Sequence, residues 1–218
     1  MGNNQKSFKD KFLIGIQIGI TSGCAVFKNG EIIFAASEER YSRIKNDCAF
    51  PEKAIKKAIS NCQIIPEMIE KAILVTQNMS PIHFLVQREC KFTIEDYIKE
   101  QYEYYKPTFL DNKRLDYLEI FKDKLDHRYV DLYNLMKTKK MPPSQIWNKW
   151  RIEKVSELLN INKNQVTIEN HEHAHASYAY YGSPIRGKDV LIATMDGFGD
   201  KANSTISHID EKSQIEFK

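Results

Sequence analysis

A strand, a glycine-bearing turn and a hairpin occur twice in this chain, and that duplication constrains its fold more than any other feature of the 218 residues. Near the start, the apolar run 12–20 reads as a strand that carries Gly19 at its end. Strands at 24–28 and 31–36 follow, joined by Asn29-Gly30, a dipeptide suited to the positive-φ positions of a tight hairpin turn. Near the end, the apolar run 189–195 feeds a second turn, Asp196-Gly197-Phe198-Gly199-Asp200, and segments 204–208 and 214–217 read as a second hairpin. The second unit closes on a strand at Phe217-Lys218, which would leave backbone groups unpaired, so the sequence is expected to be a piece of a longer protein.

Between the two units, Pro51 suits a first helical turn, and Ala54, Ile55, Ala58, Ile59 and Cys62 make an apolar stripe along the predicted helix. A fourth strand is expected at 71–76 and a short β-branched run at 165–169. The charged, tyrosine-rich region 81–160, broken at Pro107 and Pro142-Pro143, reads as several helices inserted into the sheet domain. Its tyrosines, Trp147 and Trp150 are expected to form the core of that insert. The division that follows is a flexible N-terminus at 1–11, a first lobe at 12–188 containing the insert, and the start of a second lobe at 189–218.

Composition narrows the function classes. A hydrophobic fraction of 42% fits a soluble globular chain, and no apolar run approaches the length of a membrane span. The polar start carries no signal peptide, so a cytoplasmic location is the expectation. A formal charge of +3, with lysines spread among glutamates, points to no nucleic-acid partner, and Lys137–Lys140 reads as a solvated helix end. Cys24, Cys48, Cys62 and Cys90 lack CxxC spacing and read as buried thiols in a reducing compartment.

Chemistry concentrates in Glu169–Tyr181. On a helix, His171 and His175 share one face and can hold one metal ion, and Ala174, Ala176 and Ala179 favour the helix. Asn170 reads as its N-cap. The positive end of the helix dipole then disfavours a cation nearby, so a carboxylate ligand is required as well. Asp196, Gly197, Gly199 and Asp200 read as a phosphate-facing turn, in which glycines let backbone N–H groups approach an anion. In the charge-rich segment 38–47, Arg40, Arg43 and Lys45 are candidates to clamp a phosphate or carbamoyl oxygen.

Taken together, Gly15–Gly19, Glu38–Asp47, Phe50-Pro51, His171–Tyr180 and the Asp196–Asp200 turn occur in an order and spacing that resembles the NodU/CmcH family of O-carbamoyltransferases. The resemblance spans nearly the whole chain and implies an α/β, actin-like/ribonuclease H-like ATPase fold. The chain would be the first part of its Kae1-like domain, with a YrdC-like domain following in a longer protein. It also implies the chemistry. The YrdC-like part would make carbamoyl adenylate from ATP and carbamoyl phosphate, and the Kae1-like part would pass the carbamoyl group to a hydroxyl of a sugar or natural product. A divalent metal is expected on His171 and His175, Fe2+ before Zn2+. The related arrangement implies an acidic ligand from beyond residue 218, ranked above Asp196. Asp196, Arg40 and Lys45 are then catalytic candidates, and Gly19, Thr21, Arg43, Asp196, Gly197, Gly199 and Asp200 nucleotide-facing ones. The chain departs from the family in reading Ile20-Thr21 where His-Asp is usual, and His171-Glu172 where paired histidines are usual. Two other readings stay open: an actin-fold ATPase or phosphotransferase with no histidine-bound metal, and an inactive nucleotide- or metal-binding relative.

Overall fold

Phe12, Ile14, Ile16 and Ile18 alternate with half-buried residues and are themselves almost fully buried, which marks their strand as the centre of a sheet covered on both faces. In the computed structural model, which describes residues 10–78, 81–197, 199–200, 202–210 and 215–217, this is β1 (Phe12–Gln17). It pairs antiparallel with β2 (Gly23–Lys28), which pairs antiparallel with β3 (Glu31–Ser37) across the Asn29-Gly30 turn. On its other side β1 runs parallel to β4 (Ile69–Val75), and β4 runs parallel to β5 (Val166–Glu169). The order β3-β2-β1-β4-β5 with flanking helices is a mixed α/β sheet consistent with the expected actin-like/ribonuclease H-like fold.

Helix α1 (Glu52–Asn61) turns Ala54, Ile55 and Ala58 into the core, as its stripe predicts. Pro51 stands at its N-cap instead of inside its first turn, and the cap is made by Glu38, whose carboxylate accepts the N–H of Ala54 at 2.8 Å and of Lys53 at 3.3 Å. Burial raises the Glu38 pKa, and those two N–H groups work against the rise.

The crossover from β4 to β5 contains the helical insert. Its longer helices are α2 (Val130–Thr138), α3 (Pro143–Leu159) and, before them, a continuous helical run made of Ile94–Lys99, a π-helical stretch at Glu100–Tyr105 and Lys106–Phe109. Trp147 and Trp150 are buried and stacked at 5.6 Å, with Tyr129 edge-on to both, so these and Tyr117 form core as expected, whereas Tyr102 is exposed. A buried ion network latches the insert to the 38–50 segment. Arg128 donates to both carboxylate oxygens of Asp47 at 3.0 and 3.1 Å and to both of Asp126 at 3.0 and 2.8 Å, while Tyr129 donates to the Cys48 carbonyl.

A second, antiparallel sheet contains β6 (Val190–Met195), β7 (Ser204–Ile209) and β8 (Ile215–Phe217). Helix α4 (His171–Tyr181) follows β5 but turns Ala176 and Tyr180 against Ile192 and Ile209 of this second sheet. The expected boundary at 188 therefore separates α4 from the strands it packs on; the packing divides the chain just after β5. Among the described residues no helix is long and apolar enough to cross a membrane.

Because β1, β4 and β5 are parallel, and β3 runs with them, their C-terminal ends share one edge. The Gly19 turn, the segment after Ser37, Thr76 and Asn170 all leave from that edge, where ligands meet open α/β sheets. The second sheet delivers Asp196 to the same place.

The Arg128 latch sets an acid response. Burial opposes ionisation of Asp126, but the guanidinium and N–H of Arg128 outweigh it and hold the carboxyl down at about 2. Its folded value lies below its unfolded one, so its stabilisation is complete above about pH 4 and is lost as pH falls toward 2. Arg128→Met leaves the buried Asp47 carboxylate without its ion-pair partner and Asp126 with Lys91 alone at 3.3 Å, and is expected to cost about 3 kcal/mol at pH 7. In urea unfolding, the gap between wild type and variant should narrow as the pH drops and those acids protonate in the variant.

Candidate functional site

Helix α4 starts at the edge of the first sheet because two side chains satisfy its opening N–H groups. Asn170 is the N-cap, its side-chain oxygen accepting the N–H of His173 at 3.2 Å, as the sequence predicts. Asp200, from the β6–β7 turn, accepts the N–H of His171 at 2.8 Å and those of Gln77 and Asn78 at 2.6 and 2.7 Å. One carboxylate thus joins the start of α4, the segment after β4 and the turn after β6.

With α4 fixed in that way, His171 and His175 lie one turn apart with ring centroids 4.6 Å apart. Asp196, the first residue after β6, meets both of them. Its Oδ2 is 2.5 Å from His171 Nε2 and 3.0 Å from His175 Nε2, and the two nitrogens are 3.0 Å apart. Among the described residues, this trio is the one cluster of His, Cys, Asp or Glu able to hold a metal. His175 and Asp196 keep access to solvent, and His171 is more enclosed.

Proton counting shows why a cation suits the trio. When both rings are neutral and protonated on Nε2, each donates to Asp196, and the two N–H groups then point at one another. When either Nε2 is bare, a lone pair faces a carboxylate oxygen with nothing between. A divalent cation equidistant from all three would satisfy every contact; two ligands on bonds of 2.0–2.1 Å at the tetrahedral angle lie about 3.3 Å apart, near the two 3.0 Å spacings and wider than the 2.5 Å one between His171 and Asp196. The other nitrogen of His171 is also engaged: Nδ1 is 3.2 Å from Thr76 Oγ1. That is the outer hydrogen bond a metal-binding histidine uses to fix its tautomer.

Residues 13–217 match the family described as carbamoyltransferase N-terminus. The chain belongs to that family. It is also similar to an uncharacterized protein, MJ1058, of Methanocaldococcus jannaschii, with 30% identity over 176 residues, or 79% of this chain. The aligned part is 28% of that relative, so the chain spans well under half of the relative's length.

Within this member of the family, several sequence expectations need correction. Asp196, ranked second as the acidic partner of the histidines, stands on both of them. Asp200 does not face outward toward a phosphate; its two oxygens are committed to three backbone N–H groups. Gly199 is required for packing, since a Cβ there would collide with the Ala202 carbonyl oxygen and with Glu172 Oε1. Gly197, in the same turn, has open space around it, and Phe198 lies outside the described residues. Gly19 sits in a turn closed on itself, its N–H donating to Ser22 Oγ at 3.2 Å, so that N–H is not presented to a ligand. Thr21 is exposed at the tip of that turn with φ +58, its hydroxyl donating to the Ile20 carbonyl.

The charge-rich segment sorts by sign. Glu38 caps α1, Glu39 accepts the N–H of Asn46 at 2.9 Å, and Asp47 takes Ala49 and Arg128. Arg40, Arg43 and Lys45 are exposed, and Lys45 makes a loose 3.5 Å ion pair with Glu39. None of the three basic side chains is in hydrogen-bond or ion-pair contact with the His171–His175–Asp196 trio.

Sequence reading missed Thr76, Asn148, Arg151 and Glu172. Thr76 ends a predicted strand and gives no motif; its signal is structural, a buried β-branched residue at φ +73. Glu172 is buried and accepts the N–H of Ala202 at 3.1 Å, bracing the Asp196 turn from the far side.

Asp200→Ala should lower stability by about 2 kcal/mol through the loss of a charged cap and two loop anchors. Asp200→Asn keeps one acceptor and should recover roughly half of that loss in denaturant melts.

Proposed function

We propose that this chain is the transfer part of an O-carbamoyltransferase, moving a carbamoyl group from ATP-derived carbamoyl adenylate to a hydroxyl of a sugar or natural product. Family membership supports carbamoyl transfer in the coarse sense. The observation that carries the finer reading is the convergence of His171, His175 and Asp196 at the C-terminal edge of the first sheet.

The trio would hold a divalent ion through two imidazole nitrogens and one carboxylate oxygen, a donor set that suits iron(II), with zinc the alternative. Bound there, such an ion polarises a carbonyl or phosphoryl oxygen as a Lewis acid. The chain's own residues do the remainder. Asp196 offsets the positive end of α4 and holds both rings in place. Arg40, Arg43 and Lys45, displayed outward from a segment whose acids are turned inward, supply positive charge for the phosphate of the donor. The Thr21 hydroxyl can donate to an anion but has no ionisable group, so removal of the acceptor's proton falls to another group at the site. Carbamoyl adenylate would come from a YrdC-like domain in a longer chain, in a cytoplasmic setting.

Metal content by plasma mass spectrometry, on protein purified without chelator, tests the reading. Near-stoichiometric iron or zinc is expected, falling to background in His171→Ala/His175→Ala and at least tenfold in Asp196→Ala. Wild-type protein free of bound metal after exposure to iron(II) and zinc would overturn it.

A further inference from the structure

We infer that helix α3 of the insert organises the metal ligands from behind: Arg151 and Asn148 hold the end of β4 in a shape that lets the Thr76 hydroxyl fix the ring of His171. The inference rests on the reading of His171, His175 and Asp196 as cation ligands.

Thr76 occupies a backbone conformation that its side chain resists. It is 2% exposed, with φ +73, a region that β-branched residues avoid because Cβ crowds the backbone. Such a residue persists only where its surroundings over-determine it, and here they do. Arg151 donates from Nη1 to the Val75 carbonyl at 3.0 Å and from Nη2 to the Thr76 carbonyl at 2.6 Å. Asn148, one turn earlier on the same face of α3, donates to the Gln77 carbonyl at 2.8 Å and accepts from Arg151 at 2.5 Å. The Asp200 carboxylate takes the N–H groups of Gln77 and Asn78. Three carbonyls and two N–H groups of four successive residues are therefore pinned by three side chains.

Arg151 is an expensive way to make those bonds. It is fully buried, the Trp147 ring lies 5.2 Å from its guanidinium carbon, and among the described residues no carboxylate is within ion-pair distance of it. Burying a charge with so little compensation is unfavourable. What the guanidinium offers in return is a rigid planar fork, which reaches two successive carbonyls and a side-chain amide at once. The outcome of that grip is the placement of Thr76 Oγ1, 3.2 Å from His171 Nδ1. A proton held on Nδ1 by that oxygen leaves the Nε2 lone pair for a cation, alongside His175 and Asp196. Arg151, Asn148 and Thr76 are positioning residues: none touches the cation, and all act through the His171 ring.

Titration with cobalt(II) chloride, followed by the visible d–d absorption bands, tests this in the 218-residue chain. Thr76→Val keeps the shape and the strain and removes only the hydroxyl. Its cobalt affinity should fall about 10- to 100-fold with a shifted spectrum, while its melting curve matches wild type. Thr76→Ser should restore both affinity and spectrum. Arg151→Lys keeps the charge and loses the fork, and should weaken cobalt binding by about tenfold or more. Thr76→Val binding cobalt as tightly as wild type with the same spectrum, while His171→Ala loses it, would overturn the inference and leave the metal reading standing. Wild type that shows no cobalt spectrum would end both.

Discussion

The carboxylate of Asp200 is the joint on which the site depends. It comes from the second sheet and accepts N–H groups from the segment after β4 and from the first residue of α4. Packing of α4 on the second sheet brings Asp196 near His171, and the Asp200 carboxylate ties that pair to the edge of the first sheet. A trio built from two separate elements needs such a brace if it is to hold a metal ion, because ligand geometry tolerates little error. Glu172 and Gly199 complete it from the other side, the glycine admitting the Glu172 carboxylate where any Cβ would stand in the way.

The same division between structural acids and displayed bases governs the 38–47 segment. An alternating run of charge looks in sequence like a solvated surface. In the fold its three acids are consumed by a helix cap, a loop closure and the Arg128 latch, and the field of Arg40, Arg43 and Lys45 faces outward with few internal partners. Three exposed basic side chains are thereby displayed from one segment of a chain whose formal net charge is only +3.

Much of the fold was legible because its signals are local. The Asn29-Gly30 hairpin, the stripe of α1, the apolar run of β1 and the Asn170 cap each depend on residues within a few positions of one another. His171 and His175 were legible for the same reason. What was not legible depends on long-range packing. That Asp196 meets both histidines turns on where the end of β6 delivers the residue after it, which no spacing rule fixes. Asp200 looked like a ligand-facing acid since the sequence does not show which N–H groups wait for it. Thr76 and Arg151 lie 75 positions apart and meet through a tertiary contact, so neither carries any mark of the other.

The crossover between β4 and β5 has a consequence for how the protein reaches this state. These neighbouring parallel strands are separated by the whole insert, residues 76–165, and closing a flexible loop on the order of 90 residues costs about 4 kcal/mol in chain entropy. The bonds that would offset that cost are the four register pairs of β5. The aromatic core of the insert and the Arg128 latch must therefore shorten the effective loop before β5 can add to the sheet. In kinetic terms, the helix that follows β5 and carries His171 and His175 is expected to form late, with the insert as the splint that lets it form.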